Sequence, residues 1–228
     1  MDASPPRESR ATRRHALNFA SLIRSGLAVI AQRGLYQTTV EHITEAADLG
    51  KGTFYAHFSS KDDLVQHLVR HGFDELISAG RARVPADGPP ASRLAALIRA
   101  QFQVLGRRRD LVILLHQVRG LLIIEPKARR TLRQEYERYV GFLAEECQRV
   151  LGRRRLRDGE AREVACAIAG FVSGTLSFEL VIRQQVFRPQ IMAVPINAFA
   201  AGLAARYPRN GRPQTGAGPA GFPLPKRR

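Results

Sequence analysis

The sequence has little that would indicate a metalloprotein, a disulfide-bonded protein or an enzyme. Its 228 residues include 2 cysteines, Cys147 and Cys166, which lie in apolar helical patterns without the CxxC or Cys/His spacing of a zinc site. It contains no phosphate loop, no GxSxG and no paired-histidine spacing, which are common signatures of catalytic or metal sites. We therefore expect two reduced core thiols, no metal, no cofactor and no enzymatic activity.

Segments that would direct the chain into a membrane are also missing. Residues 1–15 carry charges but lack the apolar stretch of a signal peptide. The longest uncharged apolar run, Val164 to Phe178, is bounded by Glu163 and Glu179 and is shorter than the ~20 residues of a membrane span. These features predict a soluble, cytoplasmic protein with no membrane partner.

Acidic residues are fewer than basic ones, but the basic excess is not concentrated where a DNA-binding unit is predicted. Lys plus Arg total 36 against 20 Asp plus Glu, and the formal net charge of +16 suits a polyanion such as nucleic acid. Residues 1–60 hold only seven basic and five acidic side chains, and the excess lies in runs such as 107–109 and 153–155. Net charge permits nucleic-acid binding without deciding for it, because a coding bias toward arginine gives the same excess.

The hydrophobic pattern predicts an all-α fold with no convincing strand. Apolar residues recur at spacings of three and four, which is the stripe of an amphipathic helix. The predicted helices cover about 15–33, 38–47, 51–57, 60–80, 92–105, 110–124, 126–150, 158–187 and 190–207. The segment Ala82 to Pro90, rich in Pro and Gly, is the strongest internal loop signal and marks a domain boundary.

The stretch Thr38 to Phe58 has the most specific pattern in the chain. Thr38 and Glu41 form a capping-box pattern where the first of two short helices begins, at Thr38 or Thr39. Residues 48–50 then form a tight turn before the second helix. Two short helices joined in this way are typical of a helix-turn-helix DNA-binding unit.

The second short helix has a distinctive surface. At about 100° per residue, Phe54 and Phe58 face the core, which leaves the small Gly52 and Ala56 outermost. Such a helix brings its backbone close to a groove while flanking side chains reach phosphates or base edges. The predicted DNA contacts are Thr39, Lys51, Gly52, Thr53, Tyr55, His57 and Lys61, although a solvated Lys61 fits the sequence as well.

Candidate pocket residues lie in the second half of the chain. His116 and Arg119 are three apart on an apolar helix, so both could point into a cavity. Glu179 and Arg183 could do the same, although an ion pair within the helix explains their spacing equally. The remaining candidates suit either a ligand wall or the core, and they are Phe102, Tyr136 and Phe178.

These signals divide the sequence into five parts. They are a flexible basic arm at 1–14, a helix-turn-helix domain at 15–60, a connecting helix at 61–81, a helical domain at 82–207 and a disordered basic tail at 208–228. Arginines in the arm either contact phosphates or a minor groove, or remain solvated.

The first ~65 residues resemble the DNA-binding domain of the TetR family of transcriptional regulators. The matching residues are Gly34, Tyr36, Thr38-Thr39-Val40, Ile43, Ala46-Ala47, Gly52-Thr53-Phe54-Tyr55, His57-Phe58 and Ser60-Lys61. Gly50 departs from the pattern, since relatives often carry Ser or Thr there. Its missing side chain removes a helix cap and a possible phosphate contact.

The resemblance implies a homodimer in which each protomer places the 51–57 helix in a major groove of a near-palindromic operator. It also implies a small-molecule effector bound by the C-terminal lobe, with ligand binding moving the 60–79 helix. The last two helices would form the dimer interface, through Ile168, Phe171, Val172, Thr175, Ile196, Phe199 and Leu203. Gly170 and Gly174 suggest either close helix packing within the chain or a dimer seam.

Two functions are compatible with these features. The first is a TetR-like regulator, expected to be a repressor, that responds to a small molecule. The second is an architectural or nucleoid-associated DNA-binding protein of the same fold without an effector, which the basic runs at 107–109 and 153–155 would favour.

Overall fold

The computed structural model describes residues 9–124, 126–152, 156 and 158–207, and over these ranges the chain is helical without a β-strand. The all-α fold class is therefore confirmed. The α-helices are α1 Arg10–Arg33, α2 Val40–Ala47, α3 Lys51–Tyr55, α4 Lys61–Arg83, α5 Pro90–Leu105, α6 Arg109–Ile124, α7 Pro126–Leu151, α8 Asp158–Leu176 and α9 Ala193–Arg206. A π-helical turn, Ser177–Ile182, continues α8, and a short 3-10 helix, Pro189–Met192, precedes α9.

Helix α1 begins earlier than the sequence pattern indicates. The Ser9 hydroxyl accepts the Thr12 N–H at 3.1 Å, so it caps a free amide in the first turn. The predicted flexible arm is therefore wrong for residues 10–14, which are helical. Residues 1–8 of that arm and the predicted tail at 208–228 lie outside the described residues.

Helix α2 is capped one residue later than the predicted box. Thr39 Oγ1 accepts the His42 N–H, and His42 Nδ1 accepts the Thr39 N–H, both at 3.3 Å. The box predicted from Thr38 and Glu41 is thus wrong. Thr38 is instead buried, and its hydroxyl donates to the Gly34 carbonyl oxygen at 2.7 Å, which fixes the turn between α1 and α2.

The N-terminal domain forms around the aromatic residues of α1 and α3. Phe54 and Phe58 are buried, and their ring centroids lie 5.5 Å apart. Phe58 also stacks on Phe19 of α1 with centroids 5.4 Å apart. A five-residue helix is too short to be stable alone, so these contacts are what hold α3 in place.

The C-terminal lobe packs α5 against α9 and α7 against α8, while α4 contacts both α5 and α7. Helix α6 packs against α7 on one side and against α1 of the N-terminal domain on the other. Helix α5 starts at Pro90, two residues before the predicted start at 92, and proline is well suited to the first turn of a helix. Helices α4 and α6 therefore connect the two halves of the molecule.

Close packing at glycine occurs away from the predicted pair. A Cβ at Gly170 or Gly174 would meet nothing within 4 Å, so the prediction of tight packing there within the chain is wrong. A Cβ at Gly80 of α4, by contrast, would lie 2.6 Å from Cζ of the Phe142 ring on α7. The absence of a side chain at Gly80 is what lets α4 and α7 approach.

One helical stretch is longer than the uncharged run suggested. Gly159–Ile182 is a continuous helix of 24 residues that could cross a membrane by length and composition, and 28% of its most apolar window is buried. The uncharged run alone is shorter than a membrane span, but the helix that contains it extends past Glu163 and Glu179 and reaches that length. One such helix is weak evidence for a membrane span, since core helices of soluble proteins share these properties.

Candidate functional site

The exposed face of α3 has the predicted geometry. Phe54 is 0% exposed, while Gly52 and Ala56 are exposed and Tyr55 is 58% exposed. This pattern confirms the projection that the smallest residues are outermost and that Lys51 and Tyr55 flank them. The contact of these side chains with DNA stays a prediction.

The turn before α3 provides no side-chain cap. Asp48 ends α2 in the left-handed conformation with φ 53°, and the Leu49 N–H donates to the Thr44 carbonyl oxygen at 2.9 Å. Gly50 is the N-cap of α3, and its carbonyl oxygen accepts the Thr53 N–H at 2.9 Å. The turn is thus defined by backbone hydrogen bonds, and Gly50 contributes its carbonyl oxygen without a side-chain cap.

Lys51 is held at the junction of α2 and α3 by a carboxylate. Its ammonium pairs with Glu41, and both side chains are about half exposed. The hydrogen bond from Lys51 is the main cause that lowers the pKa of Glu41 to about 2, and the same contact raises the pKa of Lys51. A DNA phosphate at this position would compete with Glu41 for the ammonium.

Lys61 has a structural role that the sequence did not reveal. Its Nζ donates to the carbonyl oxygens of Leu35 at 2.9 Å and Thr38 at 2.8 Å. These bonds join the first turn of α4 to the α1–α2 turn. The prediction of a solvated Lys61 is wrong, and two of the three N–H groups that could bind a phosphate are already used.

His57 packs against α1 instead of extending freely from α3. Its ring centroid lies 4.0 Å from that of His15 and 5.8 Å from that of Phe19. Burial, with a smaller contribution from His15, lowers the pKa of His57. Of the other predicted contacts, Thr39 is exposed and Thr53 is half-buried, so Thr39 and Tyr55 are the more accessible polar groups.

A second candidate site is a cavity of about 460 Å³ in the C-terminal lobe, between α4, α6, α7 and α8. Its walls on α4, α5, α6 and α7 are mainly large and apolar, with Phe73, Leu76, Leu105, Val112, Leu115, Tyr139 and Val140. Its α8 wall is formed mostly by small residues, and the face includes Cys166, Ala169, Gly170, Ser173, Gly174 and Ser177. Their spacing of three and four places them on one helical face, a signal that sequence reasoning overlooked.

Three predicted pocket residues line this cavity, namely His116, Arg119 and Tyr136. His116 and Arg119 are exposed and lie at its open side. The Tyr136 hydroxyl donates to the Leu115 carbonyl oxygen at 3.2 Å. Burial raises the pKa of Tyr136, and the nearby Arg119 guanidinium partly opposes that increase.

The other predicted pocket residues do not reach the cavity. Phe102 is buried in the core, with its ring stacked on Phe187 at a centroid distance of 5.6 Å. Phe178 is 52% exposed and is absent from the cavity wall. Glu179 pairs with Arg183 at 3.1 Å, which is the ion pair that the spacing of four allowed. The three residues are therefore not part of this cavity, and Glu179 lies with Arg183 at a separate surface pocket.

Helix α6 joins the cavity to the N-terminal domain. Gln117 lies between His116 and Arg119, and its Oε1 accepts the Leu35 N–H at 2.7 Å. Leu35 is buried, and its carbonyl oxygen accepts Lys61 Nζ. The backbone N–H of Leu35 is therefore bound by α6 and its carbonyl oxygen by α4. A shift of either helix would act on the turn before α2.

The predicted dimer residues fall into two groups. Ile168, Val172 and Ile196 are buried in the chain's own core, so a partner protomer cannot reach them and their assignment is corrected. Phe171, Thr175, Phe199 and Leu203 are half-buried, and they remain candidates. The rings of Phe171 and Phe199 stack with centroids 4.7 Å apart, which joins α8 to α9.

Within the described part of the chain, no group of three or more His, Cys, Asp or Glu could hold a metal ion. Cys147 is buried, whereas Cys166 is exposed and lines the cavity. The prediction of two core thiols is therefore wrong for Cys166.

Comparisons with known proteins agree with the N-terminal geometry. Residues 22–68 match the family model for bacterial regulatory proteins of the tetR family. The chain is 31% identical over 106 residues to the HTH-type transcriptional repressor KstR2 of Mycobacterium tuberculosis strain H37Rv, covering 46% of this chain and 53% of that protein. It is 29% identical over 156 residues to the HTH-type transcriptional regulator BetI of Burkholderia mallei strain NCTC 10229, covering 68% and 77%. The chain thus spans about half the length of KstR2 and more of BetI.

The fold extends this similarity over nearly the whole chain. The fatty acid degradation regulator FadR of Bacillus halodurans superposes with a TM-score of 0.71 at 18% identity, covering 89% of this chain and 97% of that one. FadR of Bacillus subtilis, in complex with stearoyl-CoA, superposes with a TM-score of 0.67 at 20% identity, covering 80% and 97%. The helix-turn-helix geometry and the family match at residues 22–68 together identify the N-terminal domain as one of the tetR family of bacterial regulatory proteins.

Proposed function

We propose that this protein is a transcriptional repressor that binds a near-palindromic DNA operator as a homodimer and changes its operator affinity when a small molecule fills the C-terminal cavity. One observation carries the proposal: α6 lines the cavity with His116 and Arg119, and through Gln117 it bonds to the turn that positions the DNA-reading helices. It is a regulator and not an enzyme.

DNA reading is assigned to α3. The exposed Gly52 and Ala56 let the helix enter a major groove, while Lys51, Thr53 and Tyr55 contact phosphates or base edges. The two readers of a dimer would contact half-sites about one helical turn of DNA apart, roughly 34–36 Å. Thr39, exposed at the start of α2, would contact the adjacent phosphate backbone.

The response to a ligand would pass through α6. A molecule that enters the cavity contacts α6 and α8 together, so it favours one spacing between them. A change in that spacing displaces Gln117 and with it the Leu35 N–H. A coupling free energy of about 1–3 kcal/mol would change operator affinity by roughly 5- to 150-fold.

The relatives support both repression and the binding of a small molecule. KstR2 is a named transcriptional repressor, and the FadR of Bacillus subtilis is described in complex with stearoyl-CoA. A shared fold with a protein that holds a small molecule supports effector binding in this chain without identifying the effector.

We propose that the dimer interface uses the exposed parts of α8 and α9. Phe178 and Ile182 are exposed apolar residues in the π-helical turn that ends the largely unburied helix Gly159–Ile182, and Val194 is an exposed apolar residue in the first turn of α9. Covering these residues with a second copy of the chain would account for the apolar stretch without a membrane, and is compatible with a cytoplasmic protein. Analytical ultracentrifugation should show a dimer that Val194→Glu converts to monomer.

The nucleoid alternative has less support in this structure. Arg108 pairs with Glu75 at 2.7 Å and with Asp110 at 3.3 Å, and Arg109 Nε donates to the Leu180 carbonyl oxygen at 3.4 Å. Much of the 107–109 run thus serves contacts within the chain. The run at 153–155 lies outside the described residues.

Selection from a random double-stranded DNA library with the purified protein tests the proposal. We expect one near-palindromic sequence to be enriched, with footprinting protection confined to it. Tyr55→Ala should abolish that protection while ultracentrifugation still shows a dimer, because Tyr55 is exposed and supports no core contact beyond the edge of Phe54. Binding that scales only with DNA length would contradict the proposal and favour the nucleoid alternative.

A further inference from the structure

The polar groups at the open side of the cavity indicate which chemical class of molecule it accepts. We propose that the cavity binds an elongated apolar molecule ending in an anionic group, with Arg119 as the partner of the anion and His116 as a second donor. The inference rests on the proposed function, because it assigns a ligand class to the effector cavity.

The α8 wall accounts for the elongated apolar part. Its lining residues run from Cys166 to Ser177, and apart from Val172 and Leu176 they carry no side chain larger than a thiol or hydroxymethyl group. At about 1.5 Å per residue this wall is ~16 Å long. A Cβ at Gly170 or Gly174 would meet nothing within 4 Å, so the space beside α8 is open along its middle. Large apolar side chains such as Phe73 and Val112 line other walls.

The charges at the cavity account for the anionic end. Among the described residues that line it there is no Asp or Glu, and Arg119 is its one permanent cation. In the described part of the chain, no carboxylate lies within 4.0 Å of the Arg119 guanidinium, whereas Arg70, Arg108 and Arg138 each pair with at least one. A guanidinium offers two parallel N–H groups that match a carboxylate or a phosphate.

The hydroxyl of Tyr136 completes the assignment of donors. Because it donates its proton to the Leu115 carbonyl oxygen, it has none left for a ligand. Arg119 and His116, three residues apart on α6, are then the nitrogen donors of the lining that can bind an anion, beside the hydroxyls of Ser173 and Ser177. The anion could belong to a free carboxylate or to a phosphorylated carrier of an acyl chain, which share this chemistry.

The two cysteines provide a readout of cavity occupancy. Cys166 lines the cavity and is exposed, whereas Cys147 is buried and burial raises its pKa to about 12. A thiol reagent applied to the native protein should therefore react at Cys166 and not at Cys147. A molecule in the cavity should slow that reaction, and Cys166→Ser should abolish it.

The test compares probes of one chain length and different head groups, each below its micelle concentration. They are dodecanoate, dodecyl phosphate, dodecanoyl-CoA, neutral dodecanol and cationic dodecyltrimethylammonium. Affinity is measured by protection of Cys166 and, independently of the thiol, by isothermal titration calorimetry. We expect one or more anionic probes to bind about 10- to 100-fold more tightly than dodecanol, since a hydrogen-bonded charge supplies that range. Preference among the three anions separates a carboxylate from a carrier phosphate.

Variants assign that preference to residues. Arg119→Gln should reduce affinity for the preferred anion about 10- to 100-fold and leave dodecanol unchanged. Arg183→Gln, which removes an arginine outside the cavity, is the matched control and should change neither. Gly170→Leu should weaken both probes by filling the space beside α8.

The outcomes separate the ligand class from the proposed function. Equal binding of dodecanol or the cation, no effect of Arg119→Gln, or no binding by any probe would overturn the ligand class. Anion binding that leaves affinity for the selected operator unchanged would support the ligand class and contradict the proposed function. If a neutral or cationic molecule protects Cys166 and releases the operator, the proposed function is supported and the ligand class is contradicted.

Discussion

The N-terminal domain and the C-terminal lobe assemble their candidate functional surfaces in opposite ways. The predicted contacts of α3 lie within seven consecutive residues, 51–57, and two buried phenylalanines decide which of them face outward. The cavity collects side chains from α4 to α8, between Phe73 and Ser177. A surface made by one helix leaves a motif in the sequence, whereas a surface made by several helices becomes visible only after they pack.

The two regions also differ in how their cations are used. In the N-terminal domain Lys51 pairs with Glu41, and Lys61 binds two carbonyl oxygens, so both ammonium groups have partners within the chain. At the cavity, no carboxylate of the described residues pairs with Arg119, whose guanidinium hydrogen-bonds the Tyr136 hydroxyl. The two lysines are thus fixed by contacts within the chain, whereas the charge of Arg119 is not balanced by a described carboxylate.

Removing a buried aromatic ring from α3 should have the largest effect. Phe54→Ala should lower the free energy of unfolding by about 3–5 kcal/mol, because it deletes a fully buried ring on which a short helix depends. Urea unfolding followed by circular dichroism measures this. Tyr55→Ala is the matched control next to it and should stay within about 0.5 kcal/mol. Equal stability losses for the two variants would show that α3 does not hold one face inward.

The successes of sequence reasoning follow from local geometry. The burial of Phe54 and Phe58 and the exposure of Gly52 and Ala56 depend only on the helical period, so they were predictable. The cap of α2 was missed because Thr38 and Thr39 both satisfy the capping pattern, and tertiary contacts chose between them. Thr38 is buried against Gly34, which leaves Thr39 to accept the amide.

The failures involve contacts between distant segments. Gly170 and Gly174 show the spacing of close helix packing, but they border a cavity because nothing opposes them. Ile168 and Val172 show the same periodicity whether they face a partner or the chain's own core. Nothing in the sequence around Gln117 indicates that it binds the Leu35 N–H, 82 residues away.

Cutting the link between the two regions should have the next largest effect. Gln117→Leu removes the acceptor of the buried Leu35 N–H, which should lower the free energy of unfolding by about 1–3 kcal/mol. It should also reduce the effect of a bound anionic probe on operator affinity. Gln117→Glu keeps an oxygen acceptor and should retain most of both properties. Urea unfolding and operator-binding titrations with each variant measure the two effects. An undiminished ligand response in Gln117→Leu would contradict coupling through the Gln117–Leu35 hydrogen bond.

Two lysines predicted as DNA contacts should behave differently. Lys51→Met should leave stability nearly unchanged and lower the slope of log affinity against log salt by about one, as expected for one lost phosphate contact. Lys61→Met should instead cost about 1–2 kcal/mol of stability, because the Leu35 and Thr38 carbonyl oxygens lose their donor. Operator binding at several salt concentrations and urea unfolding separate the two effects. A stability loss in Lys51→Met and a lower salt slope in Lys61→Met would instead make Lys51 structural and Lys61 the phosphate contact.

The smallest predicted effect is a pH dependence confined to the contact between α1 and α3. Burial lowers the pKa of His57, so the unfolded chain binds a proton at higher pH than the folded domain. This contribution to stability is therefore fully present above the unfolded pKa of about 6.5 and is lost as pH falls below it toward the lowered folded value. Unfolding at pH 7.5 and 5.5 should show a smaller decrease for His57→Gln than for the unmodified chain. His15→Gln removes only the smaller cause of the lowered pKa and should retain most of the decrease in stability. If stability falls equally from pH 7.5 to 5.5 in the unmodified chain and in His57→Gln, His57 is not the source of the pH dependence.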